Sequence, residues 1–179
     1  MMDEPTMMWK FTRGRAMGNT DINWRKGKLY RVEGEVMRCH EDDNGAWTAN
    51  GFHASEHIQD ALWHVPGDTL CQVECRGDSD GDDNKTAWRE MRVVRRWRWT
   101  PEASVMLADV AVEYAVRAAG YAAEYAEEYA VRAADAADAA EYAAEYAARA
   151  VWAAACAGAS RADIHDYILT EIIPMLEEW

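Results

Sequence analysis

Apolar and polar residues alternate with a period of two along several short stretches of the first hundred residues. The stretches are Met7–Thr12, Leu29–Val32, Glu35–Cys39, Thr69–Arg76 and Trp88–Trp99, with Phe52–Ala54 as a shorter apolar run. This period places one face of a strand against a core. The pattern therefore predicts strands that form a mainly antiparallel sheet.

Local signals place turns and a helix between these strands. Glu33-Gly34 separates two of them and predicts a β-hairpin with its turn at the glycine. Ser55 is predicted to cap a short helix that closes before Pro66. The acidic segment 78–84 is predicted to form the solvated tip of the last hairpin.

The pattern changes to a helical one after Thr100, where a capping hydroxyl is followed by Pro101. From there to Ala157 the chain consists mainly of alanine, tyrosine and glutamate, and alanine is the strongest helix former. An unbroken helix of about 85 Å is the first expectation. A break near Gly120 or around 135–138, giving a shorter bundle, is the alternative.

A ten-residue segment recurs within this region. EYAEEYAVRA at 124–133 returns as EYAAEYAARA at 141–150. Its Glu and Arg residues are four apart with the acid first, the favourable order for ion pairs on a helix. Most tyrosines fall within one arc of the helix. After Gly158, a capping serine and a spaced apolar stripe predict an amphipathic return helix.

These patterns define an α+β protein. Residues 1–99 are predicted to form a small, mainly antiparallel sheet domain with one short helix, and residues 100–179 a long alanine-rich helix followed by a short return helix. The second part is expected to project as a slender acidic arm rather than complete the first domain. Small alanine faces allow close approach of helices, so a homo-oligomer is predicted.

Charge is unevenly distributed along the chain. The net charge is −13; residues 1–100 carry 17 acidic and 15 basic side chains, whereas residues 101–179 carry 15 acidic and 4 basic ones. Phosphate binding depends on Lys and Arg, which argues against contact between the acidic part and nucleic acid or an anionic membrane. This part fits a basic protein partner, or it keeps an alanine-rich helix soluble.

No apolar run is long enough to span a bilayer, and a cytoplasmic protein of a bacterial host is expected. The cysteines are scattered and are expected to be reduced thiols. Cys71 and Cys75 would lie roughly 13 Å apart on one strand, too far to share one zinc ion. The acidic tip 78–84 lacks the glycine and glutamate of a calcium loop. No metal and no cofactor are predicted.

The last predicted strand interleaves arginines with tryptophans. A weak contact with nucleic acid through Arg92, Arg95, Arg96 and Arg98 is one interpretation. In the other, arginine and tryptophan side chains face opposite ways and tryptophan is part of the core. A third is that these arginines meet the acidic helical part, within the chain or in another copy.

Two segments carry a resemblance to a known family. Gly27-Lys28-Leu29-Tyr30 and Gly51-Phe52-His53-Ala54 resemble the G-K-x-Y and G-F-H-A-C segments of a domain of unknown function found mostly in bacteriophage and prophage proteins. The similarity spans about Trp9 to Trp97, with Ser55 where the family has cysteine. The resemblance implies a phage origin and no particular chemistry.

Two functional hypotheses follow. The first is a non-enzymatic phage accessory protein whose acidic helical arm binds a host or phage protein, in particular a basic nucleic-acid-binding protein. The residues predicted for this contact are Glu124, Glu127, Glu128, Asp135, Asp138, Glu141, Glu145, Tyr121, Tyr125 and Tyr129. The alternative, by analogy of fold alone, is a nucleotide-binding or ADP-ribosyltransferase-like enzyme centred on His53, with Glu74 or Glu90 as the stabilising carboxylate.

Overall fold

A computed structural model describes residues 4–12, 22–41, 47–82, 84–118, 122–136, 140–156 and 158–179. The strands are β1 (Thr6–Thr12), β2 (Leu29–Arg31), β3 (Met37–Glu41), β4 (Trp47–Asn50), β5 (Phe52–Ala54), β6 (Thr69–Gly81) and β7 (Thr86–Arg98). The helices are α1 (Ile58–His64), α2 (Pro101–Ala118), α3 (Ala122–Asp135), α4 (Ala140–Cys156) and α5 (Arg161–Tyr167). A π turn (Ile168–Ile172) and a 3₁₀ turn (Ile173–Met175) continue α5.

Strand β7 is the centre of the main sheet. The strand order is β1-β6-β7-β2, all antiparallel, and β5 pairs with β7 beyond the end of β2. Along the same edge, Lys26 bridges Val93 and Glu178 bridges Trp97. Both edges of β7 are therefore hydrogen-bonded over most of the strand, which suits a position inside a sheet.

A bulge in β7 changes which face its side chains occupy. Gln72 of β6 pairs with Arg95 and Val73 pairs with Val93, which leaves Val94 as an extra residue. Val93, before the bulge, lies in the same core as Met91. Trp97, after the bulge, lies in a different core, on the other face of the sheet. Because alternation along a strand has a period of two, a single inserted residue produces this switch.

The sheet curls back on itself through Ser55. The backbone of Ser55, directly after β5, exchanges two hydrogen bonds of 2.8 and 2.9 Å with Trp9 of β1.

A second core lies on the side of the sheet away from the helices. Its buried residues are Met8, Trp24, Phe52, Ala54, Cys71, Val73, Cys75, Met91 and Val93.

The prediction that Ser55 caps α1 is wrong. His57 holds the capping position and its side chain makes no capping hydrogen bond. Ser55 is instead buried, with its backbone in the bridge to β1. The predicted hairpin at Glu33-Gly34 is also wrong, because β2 pairs with β7 while β3 pairs with β4.

The alanine-rich region is three helices and not one. Helix α2 ends at Ala118 and α3 begins at Ala122; α3 ends at Asp135 and α4 begins at Ala140. The expectation of one unbroken helix is therefore wrong, and the shorter bundle is present. The breaks fall at the two predicted places, although Gly120 and Asp138 themselves lie outside the described residues.

The helices share one core with the sheet rather than project from it. Helix α4 packs against α1, α2 and α3, and one core joins sheet residues such as Phe11, Leu70 and Trp99 to Leu107 of α2. The alanines fully buried within this core include Ala111, Ala115, Ala126, Ala133, Ala144, Ala147 and Ala154. Small side chains let helix backbones approach closely, so the helices pack together as a bundle. The prediction of a slender projecting arm is therefore wrong.

The return helix packs on the sheet and on α1. Ile164, Ile168 and Ile172 are completely buried in the core that also contains Trp9 and Val151, so no second copy is needed to cover them. The predicted capping serine is confirmed, since the Asp163 N–H donates to Ser160 Oγ over 3.3 Å.

The α+β class with an antiparallel sheet is confirmed, and so is the Thr100 cap, whose hydroxyl accepts from the Ala103 N–H at 3.2 Å. The division into domains 1–99 and 100–179 stays a prediction. In the structure the two parts share a core.

Buried alanines in α4 should tolerate no larger side chain. We expect Ala147→Leu to lower the free energy of unfolding by about 1–3 kcal/mol, because Leu cannot fit between closely packed helices. Urea denaturation measures this effect. The control is Ala134→Leu on the exposed side of α3, which should change stability by no more than about 0.5 kcal/mol. Equal effects of the two substitutions would contradict close packing at Ala147.

Candidate functional site

The internal repeat folds into a helical hairpin with reciprocal contacts. Helices α3 and α4 pack together, and their connection is too short to return along a helix, so they run antiparallel. The Arg132 guanidinium lies 6.0 Å from the Tyr146 ring, and the Arg149 guanidinium lies 5.8 Å from the Tyr129 ring. Each arginine thus contacts the tyrosine of the other repeat.

Equivalent ion pairs reinforce both halves of the hairpin. Arg132 donates to Glu128 over 2.5 Å, and Arg149 donates to Glu145 over 2.6 Å. A third pair of the same spacing joins Glu113 and Arg117 in α2. The two pairs predicted within the repeat are confirmed. At the surface each stabilises a helix by only about 0.3–0.5 kcal/mol, so their main effect is to orient the arginines.

The hairpin presents acids and tyrosines to solvent. Tyr125 and Tyr142, equivalent in the two repeats, are 58% and 59% exposed. Glu127, Glu128 and Asp135 are exposed as well. Of the other residues predicted for partner binding, Tyr129 and Glu145 are half-buried. Tyr121 and Asp138 lie outside the described residues, as do the side chains of Glu124 and Glu141.

His53 is bound into the fold by its neighbours. Its Nε2 accepts the Cys39 N–H at 3.1 Å, and its backbone carbonyl accepts the Lys10 ammonium at 2.9 Å. Burial, with Lys85 and Lys10 nearby, lowers the pKa of His53 to about 4. The imidazole is therefore neutral at pH 7 and acts as a hydrogen-bond acceptor for β3.

The carboxylates of the alternative hypothesis are paired with arginines. Glu74 accepts from Arg92 Nε at 3.1 Å and lies 3.5 Å from Arg76, while Glu90 lies 3.5 Å from Arg31. Contacts among the described residues join His53 to neither carboxylate. These partners give all three residues a structural role, and the enzymatic assignment remains a prediction.

Polar side chains also connect α1 to α5. His165 Nδ1 accepts the Ile58 N–H at 3.1 Å, so an imidazole from α5 caps the start of α1. The Gln59 side chain donates to the Arg161 carbonyl at 2.7 Å. Burial, followed by the charge of His57, lowers the pKa of His165, which favours the neutral form that this cap requires. Residues 107 positions apart make this contact, and no local pattern predicts it.

Three of the four arginines predicted to contact nucleic acid are engaged within the chain, and the fourth, Arg98, is exposed. Arg92 binds Glu74, Arg95 binds Glu178 at 2.6 Å, and the Arg96 guanidinium lies 3.7 Å from the centre of the Trp179 ring. Trp97 and Trp99 lie in the core, as the structural interpretation predicted. The interaction of arginines with an acidic part of the same chain also occurs, through residue 178 rather than the alanine-rich helices.

The second core encloses a lysine between two cysteines. Lys10 pairs with Cys71 across β1 and β6, and its ammonium lies 5.3 Å from the Trp24 ring. Burial lowers the pKa of Lys10 to about 8 and raises those of Cys71 and Cys75 to about 11 and about 12.

All cysteines are free thiols, and the described residues contain no cluster of His, Cys, Asp or Glu arranged to hold a metal ion.

If His53 is structural, its loss should reduce stability. We expect His53→Ala to lower the free energy of unfolding by about 1–3 kcal/mol, because the partly buried Cys39 N–H loses its acceptor. His53→Asn retains an acceptor and should lose less. Thermal unfolding with and without NAD gives the measurement. Stabilisation by NAD that disappears in both variants would instead support the nucleotide hypothesis.

Stability should decline as the pH falls from about 6.5 to about 4. Burial lowers the pKa of both His53 and His64 from 6.5 to about 4, so the unfolded chain binds more protons in this window. The contribution of these two histidines to the free energy of unfolding is therefore fully present above pH 6.5 and is lost as the pH falls toward 4. Asp60, whose pKa is raised by burial, acts in the opposite direction toward the acid end. Urea titrations across this range should show a shallower slope for His53→Asn, and an unchanged slope would contradict the assignment.

No described helix combines the length and apolar character needed to cross a membrane. No curated protein and no solved structure matches the chain. One family model does match, over residues 8–104, which is more than half of the chain. The match begins within β1 and ends in the first turn of α2, so it covers most of the curled sheet. The chain therefore belongs to the family described as domain of unknown function DUF7666.

Proposed function

We propose that this protein is a non-enzymatic accessory protein of bacteriophage type that binds a basic host or phage protein through the acidic surface of its α3–α4 hairpin. The observation that supports this most directly is the division of that hairpin into two sides. Alanines such as Ala126 and Ala143 are buried, while the opposite side carries exposed carboxylates and two exposed tyrosines.

The chemistry of this surface fits a cationic partner. Its exposed carboxylates include Glu127 and Asp135, and the arginines of the hairpin are already paired with Glu128 and Glu145. Complementary charge accelerates encounter and selects the partner, and tyrosine supplies contact area at a small entropic cost. A basic nucleic-acid-binding surface has the required charge.

A cytoplasmic location in a bacterial host belongs to the same proposal, whereas the predicted self-association does not. The sheet and helices of one chain already bury each other's apolar faces, so close packing between copies is not required for folding. The net charge of residues 101–179 opposes face-to-face pairing of two helical surfaces.

A charge-neutralising variant tests the proposed surface. We expect Glu127→Gln with Asp135→Asn to weaken binding of an oligo-arginine peptide about threefold or more, which corresponds to roughly 0.6 kcal/mol. Fluorescence anisotropy at several salt concentrations measures the affinity, and the difference should shrink as salt rises.

The matched control is Glu4→Gln with Glu35→Gln, which removes the same charge from exposed positions outside the helices. Equal weakening by the two double variants would show attraction by net charge alone and would contradict the proposal. Capture from phage-infected cells with both variants then identifies the partner, which must depend on the hairpin acids.

A further inference from the structure

Residues 177–179, here called the strap, lie along the upper edge of β7. The Arg98 N–H donates to the Glu177 carbonyl over 2.9 Å, and the Trp179 N–H donates to the Arg96 carbonyl over 3.1 Å. Glu178 and Trp97 form the antiparallel bridge between these bonds. The strap therefore occupies the edge as an added short strand.

Basic side chains hold the strap on both faces of the sheet. Glu178 accepts two hydrogen bonds from Arg95, at 2.6 and 3.1 Å, and lies 3.5 Å from Lys26. The next residue, Trp179, contacts the Arg96 guanidinium, and consecutive strand residues point to opposite faces. The edge thus binds an acidic side chain on one face of the sheet and an aromatic ring on the other.

The strap is weakly tied to the rest of the fold. Leu176 is the last residue packed against the core, and all three strap residues are exposed, with Trp179 54% exposed. Its attachment consists of edge hydrogen bonds, partly solvated ion pairs and the contact between Trp179 and Arg96, which contribute little each. Detachment would uncover the 96–98 edge of β7 without opening either core.

We propose that this edge of β7 is a binding site for an extended acidic segment of a partner protein, and that the strap occupies it until such a segment displaces it. Addition of a strand to a sheet edge is a common mode of peptide recognition, in which backbone bonds supply affinity and alternate side chains supply specificity. The required segment carries a carboxylate opposite Arg95 and an aromatic residue directly after it. This site is separate from the α3–α4 surface and has the opposite charge preference.

A labelled peptide with the sequence of residues 173–179 is the probe. We expect it to bind a variant that lacks residues 177–179 at least tenfold more tightly than it binds the full chain, because the strap competes within the same molecule. Fluorescence anisotropy measures both affinities. Equal affinities, or no binding to the shortened variant, would overturn the proposal.

Two further variants separate recognition from general attraction. In the shortened chain, Arg95→Gln should weaken binding of the peptide at least fivefold, whereas Arg98→Gln removes the same charge from the same strand and should have little effect. Thermal unfolding first confirms that both variants are folded. Equal losses would overturn the proposal, since they would show attraction by charge alone.

Light scattering of the full chain distinguishes a second copy from a different protein as the occupant. A monomer across the concentration range supports a separate partner. Dimerisation that is lost in Glu178→Gln would show exchange of straps between copies and would overturn a heterologous partner.

Discussion

The hydrogen bonding of β7 on both edges is the constraint on which the rest of the structure depends. Four separate segments, at β5, β2, Lys26 and the 177–179 strap, complete the edge opposite β6. The bulge at Val94 then turns Trp97 toward the helices while Val93 faces the second core. Because one strand serves two cores, the position of this bulge decides where the helices can pack.

Alanine has a different role here from the one its helix propensity suggests. In isolation it favours a long helix. Against neighbouring helices it provides flat, close-packing faces, and Ala144 and Ala147 of α4 are completely buried. Packing in this region is therefore limited by backbone approach. The tryptophans and isoleucines that fill volume come from the sheet and from the segment after Gly158.

Local signals predicted most elements but not how they pair. The alternation in β6 and β7, the Thr100 cap and the Glu–Arg pairs are short-range, and the structure confirms them. The hairpin at Gly34 failed because turn chemistry does not determine which strand is the neighbour, and β2 finds β7 about 60 residues away. The prediction that Ser55 caps α1 failed for the same reason, since the bridge of Ser55 to Trp9 is a long-range contact. The strap could not be predicted, because the residues it joins are more than 80 positions apart.

The distribution of charge connects the two proposed surfaces. In the sheet, several charges are paired: Glu74 with Arg92, Asp78 with Arg89 and Glu178 with Arg95. On the α3–α4 hairpin both arginines are paired with glutamates, and residues 101–179 carry 15 acidic but only 4 basic side chains, so the excess negative charge lies in the helical part. If the strap leaves β7, Arg95 and Lys26 lose their carboxylate partner, Glu178. A positively charged site is then exposed at the edge of the sheet. One molecule would then present an acidic helical surface and a basic strand edge, and the strap would control whether the second is available.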